Sequence, residues 1–161
     1  MKKFLVVLIG FLIGFFVFMP KEQIFYKLQH ILAENQIYIT AKTDSNPISL
    51  TLKNANVYYH GIKGVEFKKA VILPFILYNR VTVKEIKLPI GEYRIKKALI
   101  TYSVADPFNV HIEAEADFAK ITGIANLKKR YVKIYLLNLK SRDLRRFLRK
   151  DKKGYYYYEK Y

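Results

Sequence analysis

The chain contains no cysteine and no tryptophan. Without cysteine there is no disulfide framework, no thiolate nucleophile and no cysteine-based metal site. Glycine-rich phosphate loops, G-x-S-x-G and S-x-x-K are also absent. The three histidines, His30, His60 and His111, have no partner at H-x-x-x-H spacing. His111 and Glu113 share a face at i,i+2, with Glu115 nearby, but a solvated polar face accounts for that pattern without a ligand. No catalytic residue, metal or cofactor is therefore assigned, and the chain is not expected to be an enzyme. Acidic residues are few, 13 against 29 Lys and Arg, which leaves a net charge of +16. Such a charge favours polyanions such as anionic lipid headgroups, lipopolysaccharide phosphates or nucleic acid. A generally lysine-rich composition explains it equally well.

What is present begins at the N-terminus. Met1-Lys2-Lys3 precedes an uncharged run from Phe4 to Met19, then Pro20-Lys21. Thirteen of those sixteen residues are Phe, Leu, Val or Ile, which favours bilayer insertion by about 4–8 kcal/mol. Sixteen helical residues span about 24 Å, short of a hydrocarbon core of about 30 Å, so spanning requires snorkelling lysines or a thinned bilayer. Residues 1–20 are read as an uncleaved anchor, with Phe4, Leu5, Leu8, Phe11, Leu12, Phe15 and Phe16 facing lipid. A cleaved signal peptide is the rival, but Val17-Phe18-Met19-Pro20 lacks the small residues of a cleavage site. A buried core helix is the third reading. Lys2 and Lys3 place the N-terminus in the cytoplasm. The expected location is the inner membrane, single-pass, with the bulk of the chain periplasmic.

Residues 21–36 read as an amphipathic helix with Ile24, Leu28, Ile31 and Leu32 at helical spacing and Phe25 widening the apolar face, either on the membrane surface or packed under the domain. Residues 37–140 read as seven to eight antiparallel strands separated by turn clusters such as Asp44-Ser45-Asn46-Pro47, His60-Gly61 and Ala105-Asp106-Pro107. Phe75-Ile76-Leu77-Tyr78 is a short apolar run of no clear type. Phe108 to Phe118 alternates most cleanly, apolar on one face and polar on the other. A weak repeat joins Phe67-Lys68-Lys69-Ala70-Val71-Ile72 to Ile95-Lys96-Lys97-Ala98-Leu99-Ile100, with an echo in Leu52-Lys53-Asn54-Ala55. The fold class is mainly β, a curved antiparallel sheet behind an N-terminal transmembrane helix.

Residues 141–161 read as a short basic helix and a Tyr-rich tail. Ser141 is the N-cap, and Arg142, Arg145, Arg146 and Arg149 recur on one helical face, with Lys150 following. Together these five form a candidate site for anionic lipid or another polyanion. Each cation near an anionic leaflet contributes about 1 kcal/mol.

The anchor Phe4–Met19, the helix running into Ile37-Tyr38-Ile39 and the strand motifs Leu52–Gly61 and Phe67–Leu77 resemble the AsmA-like family and the related type II secretion protein N family. The resemblance covers roughly residues 4–118. It implies a membrane-anchored periplasmic protein supporting envelope biogenesis, by lipid handling or within a secretion assembly, with envelope proteins or a lipid as partners. The chain departs from the family in its shortness, its basic C-terminal segment and its lack of a Gly-rich segment after the central strands. The alternative function is a polyanion-binding module using the C-terminal cations. An anchor facing outward makes nucleic acid the weaker ligand.

Overall fold

A computed structural model describes residues 2–75, 77–89 and 93–161. Met1, Ile76 of the short apolar run, and Ile90, Gly91 and Glu92 around the expected turn and strand start lie outside the described residues. Two helices, α1 (Lys2–Phe18) and α2 (Lys21–Glu34), precede eight strands. These are β1 (Ile37–Ser45), β2 (Leu50–Tyr59), β3 (Ile62–Pro74), β4 (Tyr78–Lys87), β5 (Arg94–Ser103), β6 (Asp106–Ala116), β7 (Lys120–Asn126) and β8 (Tyr131–Leu137). A single helical turn, α3 (Arg142–Arg145), and a hairpin, β9 (Arg149–Asp151) and β10 (Gly154–Lys160), end the chain.

All ten strands form one antiparallel sheet in the order β1-β2-β3-β4-β5-β6-β7-β8-β10-β9. Nearly every strand therefore pairs with its sequence neighbour, as the short turn clusters require. The β2–β3 turn shows why: His60 and Gly61 both take positive φ, 50° and 78°, as a two-residue hairpin turn demands. Asn46 closes the β1–β2 loop by accepting from the Ile48 and Ser49 backbone N–H groups at 2.9 and 2.7 Å.

The sheet has ten strands where seven or eight were expected. The added pair comes from the C-terminus. The sequence pattern predicts a basic helix over 141–149 followed by a Tyr-rich tail. Instead Ser141 caps only one turn, and Tyr155–Lys160 pairs with β8 in register from Tyr155–Leu136 to Lys160–Tyr131. Four consecutive tyrosines suit a pleated surface better than a free tail.

The N-terminal helix also differs from expectation. Alone it is not long and apolar enough to cross a membrane; α1 and α2 together pass that test but are bent by 61°. Pro20 causes the break, because the residue before a proline is driven out of the helical region. Lys21 holds the joint. Its Nζ donates to the carbonyls of Phe16 at 3.1 Å and Met19 at 3.4 Å and lies over the Phe16 ring. A lysine there satisfies carbonyls left open at the end of α1.

Helix α2 lies against β1 and the face of β2 and β3, where Phe25 is buried with Leu50, Leu52 and Ala70. Gln29 donates to the Ile39 carbonyl of β1 at 2.6 Å. Of the expected apolar face, Phe25 makes this contact and Leu32 is half-buried, whereas Ile24, Leu28 and Ile31, about a quarter-turn away, are each nearly half exposed. Phe25 is thus the main apolar anchor of α2 on the sheet. Truncating it, Phe25→Ala, is expected to destabilise the domain by about 3–5 kcal/mol, read by urea unfolding in neutral detergent. A loss below about 1 kcal/mol would mean that α2 is held otherwise.

Candidate functional site

Residues opposite one another on adjacent strands share a face, so the register fixes what each face of the sheet presents. One face is apolar across almost its whole width. Leu52, Ala70, Val83, Ala98, Ala114, Ile121, Leu136 and Tyr155 form one row from β2 to β10. Leu50, Ile72, Val81, Ile100, Ile112, Gly123, Ile134 and Tyr157 form the next. Glycine interrupts the second row for a steric reason. A Cβ at Gly123 would sit 2.9 Å from the Lys133 carbonyl oxygen and 3.0 Å from Ile134 Cγ1.

Two elements cover parts of this face. Helix α2 covers the β1–β3 end. At the other end Leu144 and Leu148 pack on Phe118, Ala119 and Leu139 together with Ile121, Leu136 and Tyr155. Between them Val81, Ile100, Ile112 and Ile134 remain half-buried, belong to neither cluster, and have no described element over them. No large side chain among the described residues is fully buried, as expected for a sheet with one apolar face open.

The opposite face is basic. Lys42 pairs with Lys53, Lys53 with Lys69, Lys69 with Lys84 and Lys84 with Lys97. Five exposed lysines thus stand in line across β1 to β5. Beyond them the row continues through Glu115 to Lys120. Each strand places two successive side chains outward at this level: Lys53-Asn54, Lys68-Lys69, Lys84-Glu85 and Lys96-Lys97. The apolar face resumes on both sides, with Leu52 and Ala55, Phe67 and Ala70, Val83 and Ile86, Ile95 and Ala98. Left-handed backbone at Asn54 and Glu85 and a bulge between Ile95 and Lys97 reset the alternation. The K-K-A repeat is the sequence trace of this crease.

Carboxylates neutralise the second lysine of the row and its flanks. Asp44 accepts from Lys53 at 2.7 Å, and that bond and charge hold its carboxyl below the usual range. Glu66 is lowered likewise by the hydrogen bond and charge of Lys63, helped by Lys87. Lys68 pairs with Glu85 and Lys96 with Asp117. Among the described residues Lys42, Lys69, Lys84 and Lys97 have no ion pair.

The same face changes character over β8 to β10. Lys133 lies over the rings of Tyr135 and Tyr156, and Tyr135 donates to Asp151 at 2.9 Å. A hydrogen bond with Tyr135 and the charge of Asp151 push Lys133 up. Burial opposes ionisation of Asp151, but the Lys153 N–H, the Tyr135 hydroxyl and Lys133 together hold its carboxyl low. Beside this cluster His111, Glu113, Thr122 and Tyr131 border a shallow cavity of about 270 Å³. His111 bonds Asp106 at 3.0 Å, and no group of three metal-ligating side chains occurs among the described residues.

The expected anchor residues Phe4, Leu5, Leu8, Phe11, Leu12 and Phe15 are all exposed on α1. Phe16 is buried instead, stacked on Phe75 beyond β3 with ring centroids 4.2 Å apart. The expected basic helical face does not assemble. Arg142 and Arg145 lie on α3, Arg146 ends it, and Arg149 and Lys150 stand on β9 opposite Tyr156 and Tyr155, hence on opposite faces of the sheet. The helix stops after one turn, and Leu144 and Leu148 pack on the sheet. Arg145 donates to the Leu139 carbonyl at 3.0 Å and lies over the Tyr155 ring.

No protein-family model, no curated protein and no solved structure matches the chain.

Like charges directly opposite on adjacent strands oppose pairing. Lys84→Glu places a carboxylate between Lys69 and Lys97 and is expected to raise stability by about 0.5–1 kcal/mol, seen as a higher urea midpoint. Acid is expected to act in the opposite direction. Asp44 and Glu66 have lowered folded-state pKa values, so their stabilisation is present above the ordinary carboxylate range and is lost as pH falls through it. Melting temperature should drop from pH 6 to pH 3, and Asp44→Asn should flatten the drop; an unchanged acid limb would remove Asp44 from this role.

Proposed function

We propose that the chain is a non-enzymatic, membrane-anchored protein of the cell envelope that handles lipid, receiving acyl chains on the open apolar face of its sheet. The uncovered stretch Val81, Ile100, Ile112 and Ile134 carries this reading. A contiguous apolar stretch rimmed by polar residues suits a ligand-binding groove. Laying about ten methylenes on it would gain up to roughly 8 kcal/mol, less the part of each methylene still facing water.

The helices support the same reading. Helix α1 has no charge from Phe4 to Phe18, and the outward stripe Ile24, Leu28, Ile31 suits a helix lying in the headgroup boundary. In this arrangement α1 enters the bilayer, the 61° bend lays α2 along its surface, and the sheet stands outside. The location proposed is the inner membrane with the sheet in the periplasm, in keeping with the resemblance of Phe4–Met19 and the strand motifs to the AsmA-like family. The five C-terminal cations lie on several surfaces, so they are not given the main binding role.

Photoactivatable acyl lipid, incorporated into membranes holding the full chain, is expected to crosslink to peptides of β4 to β6. Ile100→Asp and Ile112→Asp should each cut that labelling severalfold while labelling of α1 persists. Labelling confined to α1 and α2 would overturn lipid handling, and no signal from a reporter that works only outside the cytoplasm, fused after Tyr161, would overturn the location.

A further inference from the structure

The row of lysines lies on the face opposite the apolar one, so a lipid tail on the apolar face does not account for it. Neighbouring strands stand about 4.8 Å apart, so five lysines in register span about 19 Å. The row is one lysine wide where its charge is open. On one side the next row is Asp44, Thr51, Val71, Thr82, Leu99 and Glu113, with no cation in it. On the other, Lys68 and Lys96 are matched by Glu85 and Asp117. No aromatic side chain stands in the row, so nothing there stacks on a base. A flat bilayer surface would be met by a two-dimensional patch of open cations. A single file of them fits a single file of anions.

We propose that Lys42, Lys69, Lys84 and Lys97, joined by Lys53 when it leaves Asp44, form a binding track for an extended polymer bearing closely spaced phosphates. Each lysine contributes a compact, freely rotating ammonium suited to a phosphate oxygen, and the Thr51 and Thr82 hydroxyls stand beside the track as further donors. The polymer also relieves the repulsion along the row, so the lysines that disfavour pairing in the free sheet become complementary when it is filled. The track is independent of acyl binding, because it occupies the other face.

The test uses the full chain in neutral detergent and fluorescently labelled long-chain inorganic polyphosphate, followed by anisotropy. With about 0.7 of a counterion released per lysine, affinity should fall about 100-fold between 50 and 200 mM salt. The triple variant K69Q/K84Q/K97Q should lower the log–log salt slope by about 2 and lose most affinity at low salt. The control K128Q/K129Q/R130Q, in the β7–β8 turn, removes the same charge elsewhere and should retain both. Lys84→Glu, expected to fold more stably, should bind more weakly than the parent, which separates loss of the track from loss of the fold. Vesicles of phosphatidylglycerol and free orthophosphate are the comparison ligands. Absent polyphosphate binding, equal losses in the two triple variants, binding to vesicles alone, or displacement by equimolar orthophosphate would each overturn the track.

Discussion

Backbone pairing between sequence neighbours is the constraint on which everything else in this molecule rests. Among the described residues no closed core organises the strands: the two clusters of buried residues sit at the two ends of one face, and the middle of the sheet is held by its hydrogen-bond ladders and by rows of half-buried side chains. Because β1 to β8 pair in chain order, each hairpin can form beside the last with only a short loop to close. The energetics resemble those of a repeat array, in which each unit depends mainly on its neighbours. A fold of this kind tolerates an open face. It also places corresponding residues of successive strands in straight lines, which is how an ordinary lysine-rich composition becomes a linear feature.

The two ends of the sheet show how an open structure stops itself from pairing further. Edge strands with free backbone groups invite association. Helix α2 lies along β1, with Gln29 bonded to an edge carbonyl. At the other edge β9 is three residues long and carries Arg149 and Lys150. Both devices use local chemistry rather than closure of a barrel.

Much of the strand architecture was legible from alternation and turn residues. Phe108 to Ala116 is the clearest case, since its period-two pattern maps directly onto one apolar and one polar face. The C-terminus was misleading for a physical reason. Arg142, Arg145, Arg146 and Arg149 have helical spacing, but Leu144 and Leu148 gain more from packing on Phe118 and Leu139 than a short exposed helix gains from continuing. The apolar face of α2, Phe25 included, is legible in the sequence, but which edge of it meets the sheet is not: that depends on the position of Phe25 relative to Leu50 and Leu52. The lysine track left a trace in the K-K-A repeat, yet a repeat shows that strands are alike and not that Lys69 will face Lys84. That pairing needs the register, which turns and bulges set.

The meander also makes the sheet a ruler. Each added hairpin widens it by about 10 Å and extends the apolar face and the file of cations together, on opposite sides and in step. Length on one side cannot change without length on the other. Loss or duplication of a hairpin between β3 and β7 would leave the anchoring helices and the C-terminal cap untouched while resizing both surfaces at once.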